Sequence, residues 1–491
     1  MHNSLRAAIA VTLAVVVAPA SAMVLNPRGT GQVLIYPYYT VNAGNGTLLS
    51  VVNTTDKGKA LKVRFLEGYN GRDVLSFNLY LSPFDVWVEQ TFDTSSDGTG
   101  VAAVASNDNS CTVPVFPGAE QGPKRVSFRN AGYSGTNNDG GPTGLDRTRE
   151  GYVEIIEMGE VTNASHGTLS AITHSSTGVP GNCVQVAQAW APGGYWATDP
   201  TADLSVPGGG LYGSESIIDV AEGTLYTVNA EVIDGFSSTV QHTDPGNVAP
   251  DLNTASKSAN ATVSAFVPVG SGSVEAVYTN AEDAISALFM ADAIYNEYVV
   301  DPNVGAMTDW IVTLPTKRYY TDPAFVGNAP LARKPFDLTF AALNRPGASS
   351  PIGPLFFDRE ESGFSCDSQC WLQVGYGLTY VTNAITFGSD ASALGSNLRI
   401  NQRIWTDYFG LFSGHMRISL TSDSLGATDQ NHVLSSLNGV VFSGLPVIGF
   451  AATNYVNGNV VPGVLANFSG AFPQRTTVDC SNAANTEGEC P

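Results

Sequence analysis

The sequence predicts a mainly β protein, built from one or two antiparallel β-sandwich domains with long loops and one inserted helix. Apolar and polar residues alternate with period two in several short stretches, as in strands of a packed sheet. Charged residues make up only 14% of the 491 residues, aromatic residues make up 10%, and 51 glycines supply turns. This composition favours a β-rich chain over a helical one.

The clearest strand pattern is a predicted hairpin near residue 70. Between residues 60 and 67, apolar side chains alternate with Lys62 and Arg64, so only one face of this strand should be buried. Residues 74–81 repeat the alternation, and residues 68–71 supply turn chemistry between the two segments. We therefore expect a half-buried antiparallel hairpin.

Further alternating segments predict strands along the rest of the chain. They lie at residues 125–129, 152–158, 225–234, 262–269, 310–314, 372–381, 416–420 and 460–468. An Asn-Gly pair at residues 457–458 predicts another hairpin. Residues 134–151 and 192–213 are rich in turn residues and are expected to form long loops.

One segment predicts a helix near a subdomain boundary. Thr279 and Glu282 have capping-box spacing, Asp283 adds a second acid, and the apolar stripe continues to Asp301 and Pro302. The expected organisation is therefore a signal peptide at 1–22, an N-terminal β-sandwich region at 23–275, the helix at 276–300, a second β-rich region at 301–475 and a polar C-terminal tail at 476–491.

The N-terminus has the pattern of a secretory signal peptide. Arg6 precedes an apolar run at residues 7–18, and residues 20–22 are a small-residue cleavage site. No later apolar run reaches the roughly 18 residues that a membrane helix needs. We expect an exported protein with no transmembrane helix in the mature chain, located in the periplasm, at the cell surface or outside the cell.

The net charge disfavours one class of partner. With 44 acidic and 23 basic residues, the chain carries a formal charge of −21 at pH 7. This charge repels the phosphates of nucleic acids, so nucleic-acid binding is not expected. Cell-surface or matrix components and polysaccharide are the partners that we expect instead.

The cysteines predict disulfides. Six cysteines lie beyond the predicted signal peptide, and an even number in an oxidising compartment favours disulfides over a zinc site. Other connectivities remain open, but pairing sequence neighbours closes the shortest loops. This pairing joins Cys111 with Cys183, Cys366 with Cys370, and Cys480 with Cys490.

No catalytic motif stands out in the sequence. The nearest match to G-x-S-x-G, at residues 132–136, lacks its last glycine. Glu154 with Glu157, or Glu360 with Glu361, would supply the carboxylate pair of a glycoside hydrolase, although neighbouring acids are more often solvated surface. A polysaccharide-acting hydrolase is therefore kept as an alternative hypothesis.

Two loops suggest binding sites. Asp139 and Glu150 stand at the first and twelfth positions of an EF-hand-like loop that lacks other usual ligands, and Ca²⁺ is the one cofactor considered. Trp190, Tyr195 and Trp196 flank a Pro-Gly-Gly turn. These aromatic residues either form an exposed platform for sugar rings or pin the loop from inside.

Three segments resemble stretches of uncharacterised secreted bacterial β-rich proteins with no assigned activity. They are GQVLIYPYYT at residues 31–40, NTT at residues 53–55, and DWIVTLPTKRY at residues 309–319. The resemblance implies an exported β-protein and assigns no mechanism. The main hypothesis is a non-enzymatic protein with a structural, adhesive or ligand-binding role.

The signal peptide leads to a first prediction. Because residues 20–22 form the cleavage site, the exported protein is expected to begin at Met23. N-terminal sequencing of protein from the exported fraction checks this. Protein from that fraction with residues 1–22 still attached would contradict the assignment.

Overall fold

The structure, a computed structural model, has a mainly β fold. It describes residues 22–95, 97–118, 124–327, 332–340, 350–360, 363–365, 377–388, 392–399, 410–421, 432–456, 461, 466–482 and 490. Within these residues the sheets are almost entirely antiparallel and the helices are short, which confirms the predicted fold class.

The strands up to residue 278 build two large sheets. In chain order they are β1 (Met23–Leu25), β2 (Val33–Thr40), β3 (Gly46–Asn53), β4 (Gly58–Glu67), β5 (Asp73–Leu81), β6 (Val86–Asp93), β7 (Ala102–Ser106), β8 (Cys111–Val113), β9 (Lys124–Ser127), β10 (Glu150–Val161), β11 (Leu204–Ser205), β12 (Leu211–Asp219), β13 (Thr224–Asn229), β14 (Glu231–Asp234), β15 (Val263–Val269) and β16 (Gly272–Tyr278).

These strands form a central sheet and an outer sheet. The central sheet has the order β16-β15-β1-β14-β2-β10-β4-β5-β8, with β11 paired to β10. The outer sheet has the order β13-β12-β3-β6-β7-β9. Neighbouring strands are antiparallel except β1 and β15, which pair in parallel.

Smaller sheets follow in the rest of the described chain. Their strands are β17 (Met290–Ala291), β18 (Ala293–Val299), β19 (Ala306–Thr313), β20 (Ser350–Pro351), β21 (Gly353–Asp358), β22 (Gly363–Ser365), β23 (Gly377–Leu378), β24 (Thr382–Thr386), β25 (Ser413–Ser419), β26 (Val433–Ser435), β27 (Val440–Ser443), β28 (Leu445–Pro446), β29 (Ile448–Tyr455), β30 (Phe468–Pro473), β31 (Arg475–Thr477) and β32 (Asp479–Asn482). They pair as β22-β21-β25-β18-β31, β24-β19-β29-β30, β26-β27-β32, β17-β28 and β20-β23.

The helices are brief. They are α1 (Thr168–Ile172), α2 (Cys183–Ala189), α3 (Tyr195–Thr198), α4 (Ala281–Phe289), α5 (Lys317–Thr321) and α6 (Pro323–Val326), with 3₁₀ turns at Gly135–Asn137, Leu145–Arg149 and Pro302–Val304. None of the helices in the described residues has the length and apolar character needed to cross a membrane.

Both faces of the central sheet are covered at its middle strands, β2, β10 and β4. Leu34 of one face packs against the outer sheet in a core that contains Trp87. On the opposite face, Val33 shares a core with α4 and with Trp310 of β19. The helices α1 to α3 cover the remaining part around Trp196. The two large sheets therefore form a β-sandwich whose central sheet is also buried from behind.

The hairpin predicted near residue 70 is confirmed, but its predicted burial is wrong. β4 and β5 pair from Lys59 opposite Leu81 to Leu66 opposite Asp73. Every residue of β4 is buried, including the basic residues expected to face water. The alternation identifies the two faces of the strand, and tertiary packing covers both.

Most other strand predictions are also confirmed. The segments at 125–129, 152–158, 225–234, 262–269, 310–314 and 416–420 all overlap strands. The predicted hairpin at residues 457–458 lies outside the described residues, as do residues 372–376, 460 and 462–465 of the strands predicted at 372–381 and 460–468. Of the described part of the first segment, residues 377–378 form β23.

The predicted helix is shorter than expected. α4 begins after Asn280, whose side chain makes no capping hydrogen bond, and it ends at Phe289 rather than near residue 301. The expected capping box is not formed, and Glu282 instead pairs with Arg333 at 2.7 Å. Residues 293–299 form β18, since isoleucine, tyrosine and valine there favour strand geometry.

Two of the predicted disulfides are formed. Cys111 pairs with Cys183, with Cα atoms 5.2 Å apart, and joins α2 to β8. Cys480 pairs with Cys490, with Cα atoms 5.8 Å apart. The third predicted pair, at residues 366 and 370, lies outside the described residues.

Two carboxyl groups lie between the central and outer sheets. Glu89 on β6 and Glu215 on β12 both pair in register with Leu49 of β3, and both are at most 2% exposed. Glu89 accepts a hydrogen bond from Thr91, and Glu215 accepts one from the Tyr38 N–H at 3.1 Å. Burial raises the pKa of both carboxyl groups well above its ordinary value. Burial therefore favours the protonated form of both groups.

These carboxyl groups predict a pH dependence of stability. The pKa values of both groups are higher in the folded state than in the unfolded state, where they are about 4.3. The stability that these groups contribute is therefore fully present below about pH 4.3, and it is lost as the pH rises towards the pKa values of the folded state. The double variant Glu89→Gln, Glu215→Gln cannot ionise there. We expect its melting temperature, relative to the parent protein, to be higher at pH 8 than at pH 5.

The exposed residue Glu222 supplies the control for this experiment. Glu222→Gln should leave the melting temperature unchanged at both pH values. If the melting temperatures of the double variant and the parent protein differ by the same amount at pH 5 and at pH 8, the assignment of neutral interior carboxyl groups is contradicted.

Candidate functional site

The aromatic residues predicted as an exposed platform belong to a core, so that hypothesis is wrong for Trp196. Trp196 is fully buried, stacks on Tyr80 with ring centroids 5.2 Å apart, and donates its indole N–H to the carbonyl of Ala202 at 2.8 Å. Trp190 and Tyr195 are half-buried and contact Trp196. These side chains pin the loop from inside.

His242 completes this aromatic cluster. Its Nδ1 donates to the carbonyl of Pro200 at 2.7 Å, and its Nε2 accepts from the Tyr80 hydroxyl at 2.9 Å. The Trp190 indole N–H donates to the same hydroxyl at 3.1 Å. Burial lowers the pKa of His242 to about 3, so the ring stays neutral. Both ring nitrogens are occupied, which gives this histidine a structural role.

Glu154 and Glu157, one carboxylate pair considered for a hydrolase, are buried partners of two different cations. Arg64 donates to Glu154, and the Lys59 ammonium lies 2.9 Å from Glu157. Both glutamates are at most 1% exposed. The expectation that they lie on a solvated surface is wrong, and their burial removes them from any substrate.

Glu360 and Glu361 are the other carboxylate pair considered for a hydrolase. Glu360 is exposed after β21, and Glu361 lies outside the described residues.

The predicted calcium ligands are held by different partners. Asp139 forms an ion pair with Arg147 at 2.6 Å. Glu150 accepts hydrogen bonds from the hydroxyls of Tyr38 and Ser396, at 2.7 and 2.6 Å. Residues 145–149 form a 3₁₀ turn and Glu150 is the first residue of β10, so Asp139 and Glu150 do not form an EF-hand loop. The described residues contain no cluster of three or more acidic, histidine or cysteine side chains suited to a metal ion.

Two histidine–aspartate contacts were not predicted from the sequence, and neither has triad geometry. His432 Nε2 lies 2.8 Å from Asp337, and its Nδ1 lies 2.6 Å from a backbone carbonyl, so no ring nitrogen remains for a nucleophile. His174 Nδ1 lies 3.3 Å from Asp85 and 3.2 Å from the Ser82 hydroxyl. A triad requires the acid and the nucleophile on opposite nitrogens.

A cleft of about 910 Å³ lies at one end of the outer sheet. It is bounded by residues 41–45, 93–95, 97–98 and 219–221, which follow or precede the strands β2, β3, β6 and β12. Its floor is formed by outward-facing residues of these strands, namely Gly46, Leu48, Gln90, Phe92 and Ile218. The cleft combines short apolar side chains with polar loop residues.

Two rim carboxylates of this cleft are held in their ionised form. Arg149 lies 2.7 Å from Asp93, and although burial alone would raise the pKa of Asp93, the hydrogen bond from Arg149 outweighs it and lowers that pKa. Asp97 accepts hydrogen bonds from Ser95 and Thr99, which lower its pKa to about 2. Both carboxylates are hydrogen-bond acceptors rather than proton donors.

The third rim carboxylate is fixed by backbone groups. Asp219 accepts hydrogen bonds from the N–H groups of Ala221 and Glu222, at 2.8 and 3.0 Å. Gly44 lies directly against it, with a φ of +83°, and a Cβ there would stand 2.9 Å from a carboxylate oxygen. Glycine at this position therefore permits the close approach of the two loops.

The cleft continues onto an uncharged sheet surface, which we call the uncharged face. It consists of the outward side chains of four adjacent strands, and none of them is charged. They are Leu225, Thr227 and Asn229 of β13, Tyr212, Ser214, Ser216 and Ile218 of β12, Gly46, Leu48, Ser50 and Val52 of β3, and Val86, Val88, Gln90 and Phe92 of β6.

Comparison with known proteins gives no family for the chain. No family model, no curated protein and no solved structure matches it significantly.

The burial of Trp196 leads to a prediction about stability. Trp196→Ala should destabilise the fold by about 3–5 kcal/mol, because it removes a large buried ring. Val184 on α2 is 63% exposed, and Val184→Ala should change stability by less than about 0.5 kcal/mol. Denaturant unfolding measures both values. A Trp196→Ala protein as stable as the parent would contradict the placement of this ring.

Proposed function

We propose that this protein is an exported, non-enzymatic β-protein that binds a ligand rich in hydroxyl groups, such as a polysaccharide, in the cleft of the outer sheet. The observation that carries the proposal is the composition of the cleft. Asp93 and Asp97 are fixed as hydrogen-bond acceptors, and the uncharged floor combines the apolar side chains of Leu48, Phe92 and Ile218 with the amide of Gln90.

The side chains of the cleft suit such a ligand. Hydroxyl groups donate to carboxylates, and the exposed amide of Gln90 both donates and accepts. Phe92 and Leu48 offer apolar contact to the C–H groups of a sugar ring. The net charge of −21 disfavours anionic ligands.

The protonation states argue against a glycoside hydrolase. Such an enzyme needs one carboxylic acid with a raised pKa beside a second carboxylate in an open cleft. Asp93 and Asp97 have lowered pKa values. The raised pKa values of Glu89 and Glu215 belong to carboxyl groups in the sandwich core, beyond the reach of a substrate.

The disulfides support export. Cys111–Cys183 and Cys480–Cys490 are bonds that persist in oxidising compartments, which agrees with the signal-peptide pattern at residues 1–22. A place at the cell surface, in the extracellular space or in the periplasm is part of the proposal.

The proposal is tested by Asp97→Asn and a matched control. Asp97 and Asp199 each accept hydrogen bonds from the N–H and hydroxyl of the threonine two residues later, and both are exposed. Only Asp97 lines the cleft. Asp97→Asn should weaken binding about tenfold, because hydrogen bonds to charged groups contribute roughly 1.5–3 kcal/mol. Asp199→Asn should bind like the parent protein.

The probes are soluble galactomannan, mixed-linkage β-glucan and dextran, with binding measured by affinity electrophoresis and titration calorimetry. Parent protein that binds none of them would contradict the ligand class. Reducing sugar released by the parent protein from any of them would overturn the non-enzymatic assignment.

A further inference from the structure

The uncharged face departs from the usual polarity of a sheet that borders water, because apolar side chains are exposed beside two carboxyl groups that are buried. On β6, Val86 and Val88 point outward and are 43% and 46% exposed, whereas Glu89 on the same strand points into the core and is 2% exposed. On β12, Tyr212 is 44% exposed and Glu215 is buried. Antiparallel sheets normally place apolar residues inside and polar residues outside. Exposed apolar residues on a continuous surface indicate a binding surface.

The absence of charge indicates the chemistry of the partner. The chain has 44 acidic and 23 basic residues, yet none lies among the outward side chains of β13, β12, β3 and β6. Because complementary surfaces match in charge, such a face suits a neutral partner. An acidic polymer would lose its hydration here without gaining a cation.

The strand register arranges the face in bands. Tyr212, Val52 and Val86 stand side by side in an apolar row across three strands. The next rows are rich in hydroxyl groups: Ser50 lies 3.3 Å from Ser214, and Ser216 lies 2.8 Å from Thr227, measured between hydroxyl oxygens. A second apolar row at the cleft contains Leu225, Ile218 and Phe92.

We propose that a neutral polysaccharide chain binds along the uncharged face, from the cleft across the hydroxyl rows to Tyr212. This inference rests on the proposed function and specifies its ligand. The apolar rows contact the C–H faces of the sugar rings, with Tyr212 as the aromatic contact, and the serine and threonine hydroxyls bond to sugar hydroxyls between them.

The size of the face disfavours a second copy of this chain as the occupant. Four strands about 4.8 Å apart, each contributing about seven residues of roughly 3.4 Å rise, give an area of about 450 Å². A stable protein interface needs about 800 Å² from each partner. Two chains that each carry −21 would also repel each other. A single uncharged polymer chain requires less area.

The test places a charge on the face. Val88→Lys puts an ammonium group near its centre, and Tyr212→Ala removes its aromatic ring. Val184→Lys, at a similarly exposed valine on α2, is the control. Affinities for galactomannan and mixed-linkage β-glucan are measured by titration calorimetry, with melting temperatures recorded for each variant. Polygalacturonate serves as the acidic probe.

We expect Val88→Lys to weaken binding of the neutral polysaccharides at least tenfold and Tyr212→Ala to weaken it about fivefold, with melting temperatures within 2–3 °C of the parent protein. Val184→Lys should bind like the parent protein, and polygalacturonate should not bind the parent protein. If Val88→Lys does not fold, Tyr212→Ala and the polygalacturonate comparison still decide the question.

Several results would overturn the inference. If Val88→Lys and Tyr212→Ala bind unchanged while Asp97→Asn loses binding, binding along the uncharged face is refuted and the proposed binding in the cleft stands. Tighter binding of polygalacturonate than of galactomannan would refute the neutral ligand. A dimer in sedimentation velocity that Val88→Lys abolishes, without polysaccharide binding by the parent protein, would assign the face to self-association and refute both proposals.

Discussion

The structure depends on the burial of both faces of the central sheet at its middle strands, β2, β10 and β4. This burial leaves no water for the basic residues of β4, so each of them is bonded inside the protein. Arg64 pairs with Glu154, Lys59 lies 2.9 Å from Glu157, and Lys62 donates to two backbone carbonyls. Removing one partner of such a buried pair costs about 3–5 kcal/mol, because the remaining charge is unpaired. The two ion pairs therefore join β4 to β10 within the sheet, and Lys62 bonds the sheet to the loop at residues 244–247.

This burial gives structural roles to several acidic residues that the sequence analysis considered for function. Glu154, considered for catalysis, neutralises a buried cation, and Glu150, considered as a calcium ligand, bonds a loop to the core through Ser396. The outer sheet differs, because the outward side chains of its strands β13, β12, β3 and β6 are half-buried or exposed. There the chain buries the carboxyl groups of Glu89 and Glu215 and exposes valine and tyrosine. We propose that this arrangement is maintained for binding.

Local features of the fold were predictable from the sequence. The hairpin of β4 and β5 follows from alternation around a turn, and the Cys111–Cys183 bond follows from cysteine number and spacing. Burial was less predictable. The alternation of Lys62 and Arg64 with apolar residues identifies two faces of a strand, but it carries no information about the elements that cover them. The two interpretations of Trp196 could not be separated either, because aromatic residues beside a Pro-Gly-Gly turn do not show whether their rings face solvent or a core.

The candidate site was not predictable from the sequence. Its residues come from four strands between residues 46 and 229, and they become neighbours only through the strand order β13-β12-β3-β6. The sequence feature that marks this surface is the absence of charged residues at alternate positions of the four strands. It can be recognised only when the outward-facing positions are known. The alternation of Val86 and Val88 with Trp87 and Glu89 gives no clear assignment of the inner face, since each face carries apolar residues.

Hydroxyl-radical footprinting with mass spectrometry tests the central claim, that ligand binding takes place on the uncharged face, most directly. Labelling with and without galactomannan is normalised to Leu437, which is 62% exposed and lies on a separate part of the fold. The account predicts several-fold protection at Tyr212, Val88 and Phe92 and unchanged labelling at Tyr195. Protection at Tyr195 with unchanged labelling of the uncharged face would contradict it.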